Sequence, residues 1–217
     1  MTLYQEIEKF QKEMASKIPA EVMQTLQKAS KELLEKKLER HALNRGDKMP
    51  AFTLPDSRGK SVSSEQLLEN GLLVISFYRG GWCPYCNLEL KALQSALHKI
   101  KTLEAHLVVI SPELPNHALV TQERHALEYP VLSDVGNEVA KKFGLVYELR
   151  EEMTEFFKHN FDWDLMAING TEKVELPFPA TYVVDRNGVI QYAFVDADYT
   201  KRAEPDKIIE VLRGCIG

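Results

Sequence analysis

Cys83 and Cys86, in the stretch FYRGGWCPYCNLEL, are the residues of this chain whose types and spacing most directly suggest chemistry. A close thiol pair can cycle between dithiol and disulfide, supply half of a metal site, or sit as two inert buried thiols. The chain has three cysteines and six histidines. Cys215 lies at the far end, and no two histidines are spaced as zinc ligands, so a tetrahedral set is incomplete. Dithiol–disulfide cycling is the expectation, with no metal and no cofactor.

The two thiols are not equivalent. Cys83 stands where an apolar run gives way to a helical pattern, and Pro84 suits the first helical position. A thiolate there faces unpaired backbone N–H groups and the positive end of the helix dipole, which lower its pKa. Arg79, four residues earlier, is a second source of positive charge. Cys86, Leu90, Leu93, Leu97 and Ile100 recur every three or four residues along one helical face, which packs on a sheet. Cys83 is therefore expected to be the accessible nucleophile and Cys86 the buried resolving thiol. Trp82 and Tyr85 flank the pair as candidate groove-lining residues, while Tyr78 serves equally well as core.

The elements that position the pair follow from periodicity. LLVISFY (72–78) and HLVVIS (106–111) read as buried strands, and with the helix between them they form a βαβ unit whose strands run parallel. Helices are expected near 116–126 and at GNEVAKKFG, with a short strand at YPVLSD between them. TYVVDRNGVIQYAFV is a hairpin about RNG, and EPDKIIEVLRG is a final helix with Gly214 past its end. Residues 1–44 form a helical arm broken at Pro19, and residues 45–217 form the main domain. Within it, 148–178 is an insertion holding one helix and an aromatic loop with Trp163.

Composition narrows the classes. The chain has 217 residues, 44% apolar and 27% charged, with a net charge of −5. That balance argues against nucleic-acid binding. No run approaches the about 18 apolar residues of a membrane helix. The charged N-terminal stretch lacks the apolar core of a secretory signal, and a cytoplasmic location is expected.

Longer motifs carry a resemblance. GDKMPAFTLPDSRGKSVS, the cysteine stretch, PVLSDVGNEVAKKFGLV and PATYVVDRNGVIQYAFVDADYTKRAEPDKIIEVL together resemble the AhpC/TSA, or peroxiredoxin-like, redoxins. The resemblance spans about residues 46–212 and implies an α/β thioredoxin-like fold, a central mixed sheet flanked by helices. It departs from the peroxiredoxin pattern P-x-x-x-[TS]-x-x-C, because Ser76 and Gly80 stand at the proline and hydroxyl positions. The family's second activating arginine is also missing, since Pro179 occupies the nearest position. Pro179 instead matches the cis-proline that faces C-x-x-C in thioredoxin-like oxidoreductases, and CPYC is the glutaredoxin-type motif. Such pairs have potentials of roughly −200 to −230 mV. The buried carboxylate of thioredoxins is missing too, its place falling near Phe77.

These features weigh toward thiol–disulfide exchange on a protein or glutathione disulfide. The alternative is a thiol-dependent peroxidase with Cys83 peroxidatic and Cys86 resolving. A further reading is a redox-gated interaction protein. In each enzymatic reading a thiol donor, a thioredoxin-like protein or glutathione, reloads the pair. The apolar-faced arm suits a homodimer, and Cys215 reads as a bystander.

Overall fold

Thr2 opens the chain with a capping box. Its hydroxyl accepts from the Gln5 N–H, and the Gln5 side chain accepts from the Thr2 N–H. The structure, a computed structural model that describes residues 1–216, begins with α1 (Leu3–Ala15) and α2 (Ala20–Lys36), followed by a 3-10 turn at Leu38–His41. Pro19 is the N-cap of α2, where its missing N–H costs nothing. A two-stranded ribbon of β1 (Thr53–Pro55) and β2 (Ser61–Ser63) precedes the short α3 (Ser64–Glu69), whose first turn Ser63 caps through Gln66 N–H.

The main sheet is built as its apolar runs predict. The first strand is β3 (Leu72–Phe77), followed by the crossover helix α4 (Pro84–Thr102) and the parallel strand β4 (Ala105–Ser111). Next, α5 (Pro115–Arg124) leads to β5 (Val131–Ser133), parallel to β4. The hairpin of β8 (Ala180–Val184) and β9 (Ile190–Val195) adds antiparallel to the other edge of β3, giving the order β5-β4-β3-β8-β9.

Strand periodicity sorts the residues of β3 onto two faces. Leu72 and Val74 join the cluster under α4 and α9 (Pro205–Ile216), together with both cysteines of the pair. Leu73, Ile75 and Phe77 face Phe52, Phe143 and Tyr182, beneath α6 (Glu138–Lys142). Ser76 therefore points toward α4, and its cross-strand partner Thr181 points the same way. After α6 the chain turns at Gly144, whose φ is +70° and where a Cβ would lie 2.1 Å from the His41 carbonyl oxygen.

The segment expected as a helix and an aromatic loop is more structured than that. It begins at β6 (Val146–Glu148) and continues through α7 (Glu151–Phe161) and α8 (Leu165–Asn169). It closes with β7 (Glu175–Pro177), antiparallel to β6. Three-residue strands are too short to show an alternation, so the ribbon is silent in the sequence. Its core of Tyr147, Met153, Phe157, Leu165, Leu176 and Phe178 is the third apolar cluster, and Leu26, Ala29 and Leu33 of α2 pack on it. The ion pair of Arg150 with Glu32 (2.7 Å) ties the two together.

The arm is anchored at its start as well. Leu3 and Ile7 are buried, and the Leu3 and Tyr4 N–H groups donate to the Glu204 carboxylate, which also offsets the helix dipole. One boundary differs from expectation: α9 runs through Gly214 to Ile216 rather than ending before it. Past the glycine, Cys215 still packs partly buried on the cluster under α4 and α9, which offsets the modest helix cost of one glycine. Among the described residues no helix is long and apolar enough to cross a membrane.

Candidate active site

The chain leaves β3 at Tyr78 and crosses Gly80 and Gly81. It enters α4 with Cys83 at the N-cap and Pro84 in the first turn. The loop is held from three sides. The Cys83 N–H donates to the Gly80 carbonyl (3.1 Å), the Gly81 N–H donates to Glu113 Oε1 (3.0 Å), and Asn87 Nδ2 donates to the Gly81 carbonyl (2.9 Å). Glu113 also accepts from the hydroxyls of Tyr78 and Ser111, both at 3.3 Å. This carboxylate is buried directly behind the loop.

Two arginines serve the two sulfurs. Arg79 Nη1 lies 3.9 Å from Cys83 Sγ, with its guanidinium stacked between Trp82 and Tyr199 at 4.8 and 4.6 Å from the ring centroids. Arg202 Nη2 lies 3.1 Å from Cys86 Sγ. Its Nε donates to Glu89 Oε2, and its Nη1 donates to the carbonyls of Tyr199 and Lys201 (2.7 Å each). Glu89 Oε1 in turn accepts from Ser76 Oγ (3.0 Å) and Thr181 Oγ1 (3.4 Å), the facing pair on β3 and β8. Both arginines, both cysteines and Glu89 are buried.

Electrostatics splits the thiols. Burial pushes the Cys83 thiol up, but the adjacent Cys86 groups and the charges of Arg79 and Arg202 outweigh it, bringing the value down to about 5. Burial and the neighbouring Cys83 push Cys86 well above the ordinary thiol value, against the pull of Arg202 and Arg79. Cys83 is thus the thiolate at neutral pH and Cys86 the thiol, the chemical order that the sequence suggests. Burial also raises Glu89 and Glu113 to about 7 each, against the opposing pull of Arg202 and of the Gly81 N–H respectively.

The accessibility expected for Cys83 is corrected: it is only 1% exposed. Phe10 of α1 meets Tyr85 edge-on, Tyr85 meets Tyr199, and Tyr199 covers Arg79. These are tertiary contacts with the arm and the post-hairpin loop, which local spacing cannot register. A cleft of about 70 Å³ reaches Arg79 from outside. Its walls are Leu26, Ala29 and Leu33 of the arm with Tyr147, Met153 and Phe157 of the insertion. Trp82 packs on Phe157 and Trp163 rather than standing free.

Pro179 is corrected too. Among the described residues every peptide bond is trans. Phe178 N–H bonds the Leu145 carbonyl, and β7 continues almost directly into β8, so the chain passes extended between two ladders with no tight turn there. Pro179 itself is buried. No arginine stands at position 179 and no carboxylate at 77, as expected. A second buried arginine, Arg202 from the loop before α9, nevertheless reaches Cys86, and two buried carboxylates, Glu89 and Glu113, reach the site from other positions. Glu89 had a legible signal, a charged residue three positions after Cys86 on the buried stripe. Arg202, Glu113, Tyr147 and Tyr199 had none, because each reaches the site from a distant segment.

Gly80 also explains why the family hydroxyl is missing. Its φ is +149°, and a Cβ there would lie 2.2 Å from Trp82 Nε1. Gly80→Thr is expected to lower stability by about 1–3 kcal/mol through backbone strain alone. Thermal unfolding, with the tryptophan emission that reports the displaced ring, checks this; a variant as stable as the parent would overturn it.

Comparison with known proteins bears on the arrangement as a whole. A model of the AhpC/TSA family matches residues 45–193. Chloroplastic peroxiredoxin Q of Populus jackii is 28% identical over 168 residues, which are 77% of this chain and 65% of that protein. The Arabidopsis thaliana peroxiredoxin Q is 29% identical over 168 residues, 77% and 64% of the two chains. The match thus spans just under two thirds of the length of these relatives. Among solved structures, peroxidoxin BcpB from Mycobacterium tuberculosis superposes with a TM-score of 0.62 at 23% identity, covering 79% of this chain and 97% of that one. Peroxiredoxin Q of Xanthomonas campestris superposes with a TM-score of 0.58 at 15% identity, covering 76% and 92%. At these identities the superpositions speak to the fold, a mixed sheet flanked by helices.

Proposed function

Because the chain belongs to the AhpC/TSA family, we propose that it is a thiol-dependent peroxidase in which Cys83 is peroxidatic and Cys86 resolving. The observation that carries this reading is a buried Cys83 sulfur held as a thiolate 3.9 Å from Arg79, the residue that lines a cleft of about 70 Å³. A small peroxide can enter such a cleft; a protein disulfide needs an exposed nucleophile. Arg79 keeps a buried Nε–H without a hydrogen-bond partner among the described residues, a donor available to a peroxide oxygen.

The Cys83 thiolate attacks the near oxygen of ROOH. The O–O bond breaks, the sulfur becomes sulfenic acid, and the alkoxide leaves as ROH after taking a proton. Cys86 then attacks the Cys83 sulfur, an S–S bond replaces the S–O bond, and water leaves. A thiol donor, a thioredoxin-like protein or glutathione, returns two electrons. Disulfide exchange remains the second reading, favoured by two cysteines on the first turn of one helix.

Stopped-flow oxidation separates the two, with a glutathione mixed disulfide as the competing substrate. Hydrogen peroxide is expected to oxidise the reduced protein far faster than it oxidises free cysteine. Cys86→Ser should stop at the sulfenic acid and Cys83→Ser should not react. A peroxide rate equal to that of free cysteine would sink the peroxidase reading.

A further inference from the structure

Resolution requires Cys86 to lose a proton inside a buried site, and the peroxide step does not say where it goes. Glu89 Oε2 accepts from Arg202 Nε, while Cys86 Sγ accepts from Arg202 Nη2. Those two N–H groups form one edge of the guanidinium and point the same way, so carboxylate and sulfur are neighbouring acceptors on a single cation. Glu89 is 1% exposed, and so has no water to exchange protons with freely.

We propose, on the basis of the peroxidase reading, that Glu89 is the proton acceptor for Cys86 as the Cys83–Cys86 disulfide closes. The argument is one of charge. Oxidation of Cys83 to the sulfenic acid removes a negative charge from the site, leaving Arg202 paired with Glu89. Ionising Cys86 outright would add an uncompensated buried charge, which is costly. Passing its proton to Glu89 keeps the count constant, because Arg202 holds the thiolate in place of the carboxylate without moving. The Cys86 thiolate forms the S–S bond, hydroxide leaves the Cys83 sulfur, and the proton held by Glu89 balances that hydroxide as water. When a donor thiol later opens the disulfide, the proton that thiol sheds is taken up by the Glu89 carboxylate, which hands it to the departing Cys86. Burial helps by keeping Glu89 close to neutral pH in its proton affinity.

The groups facing Glu89 are few. They are Cys86 on its own helix, Ser76 from β3, Thr181 from β8 and Arg202 from the loop before α9. Tyr129 lies beyond, its hydroxyl donating to the Leu90 carbonyl. The pair Cys83 and Arg79 stands across Cys86. Glu113 is the rival carboxylate, but its two oxygens are engaged by Gly81, Tyr78 and Ser111 behind the loop.

The test is single-turnover kinetics on Glu89→Gln in a Cys215→Ser background, reading sulfenic acid formation and disulfide closure separately. Closure at neutral pH is expected to slow by about 100-fold while the peroxide step stays near the parent rate. The parent closure rate should level off above about pH 7, where Glu89 is ionised. The variant should instead keep rising about tenfold per pH unit, as bulk hydroxide takes over. Glu89→Asp should restore the parent pH profile at a reduced rate, and it stands in if the glutamine variant does not fold. An unchanged closure rate, equal slowing of both steps with the parent pH profile, or the same change in Glu113→Gln alone would overturn the proposal. The aromatic disulfide DTNB keeps this separate from the peroxidase reading. Its first thiolate reports attack by Cys83 and its second reports resolution by Cys86, so Glu89 is tested even if peroxide is not the substrate.

Discussion

Replacing Arg79 with methionine is expected to slow peroxide oxidation of Cys83 by about 100-fold at neutral pH, the usual loss when a donor to developing oxyanion charge is removed. It should also move the titration of the thiol upward by about 1–3 pH units, the effect of taking away a cation 4–6 Å or less from an acid. The guanidinium lies 3.9 Å from the sulfur, and both are buried. In the parent protein burial acts against the thiolate, yet Cys86 and the two arginines bring Cys83 down to about 5. Thiolate absorbance in the ultraviolet, followed in a Cys215→Ser background, should therefore inflect near 5 in the parent and distinctly higher in the variant. The sign of the stability linkage follows. A depressed thiol contributes stability fully present above the unfolded value of 9.0 and lost as pH falls through about 5, so in Arg79→Met the contribution should be smaller and its loss complete at higher pH. An unchanged inflection would mean that Arg79 does not hold the charge of Cys83.

Arg202→Met should cost about 3 kcal/mol of stability at neutral pH, the low end for stripping one partner from a buried ion pair. The low end applies because Glu89 can take a proton. Burial has already raised it to about 7, with Arg202 pulling the other way. A carboxyl raised on folding contributes stability fully present below its unfolded value of 4.5 and lost as pH rises through the folded value. Without Arg202 the folded value climbs further. The deficit of the variant should then be level below about 7, where the carboxyl is protonated with or without Arg202, and grow as pH rises above it. Urea unfolding across that range reads it directly. The double variant Arg202→Met with Glu89→Gln should recover much of the loss, since a neutral amide keeps the hydrogen bonds from Ser76 and Thr181. A deficit independent of pH would mean that lost packing of the long side chain, not the stranded carboxyl, is the cause.

The thiol pair and its unequal surroundings were legible because they depend on neighbours in sequence. Pro84 at the first turn, Cys83 at the N-cap and the stripe from Cys86 to Ile100 are consequences of helical geometry that local spacing encodes. The parallel strands and the final hairpin were legible for the same reason, as runs long enough to show their period. The weighing of peroxide against disulfide went the other way. It rested on the proline, hydroxyl and arginine missing from the peroxiredoxin pattern and on Pro179 read as a cis-proline. A second buried arginine, however, comes from elsewhere in the chain, and the bond before Pro179 is trans.

What the amino-acid sequence determined by itself was the thiol pair, its placement at a helix start and the α/β frame around it. Only tertiary structure decided that Cys83 is buried, that Arg79 points at its sulfur, and that Arg202 joins Cys86 to Glu89. The reason is the range of the forces. Helix and strand periods act over a few residues, whereas Arg202 lies 116 residues from Cys86 in sequence and 3.1 Å from it in space. A charge pairing across that separation leaves no trace in local pattern, and it is these pairings that set which thiol is the thiolate.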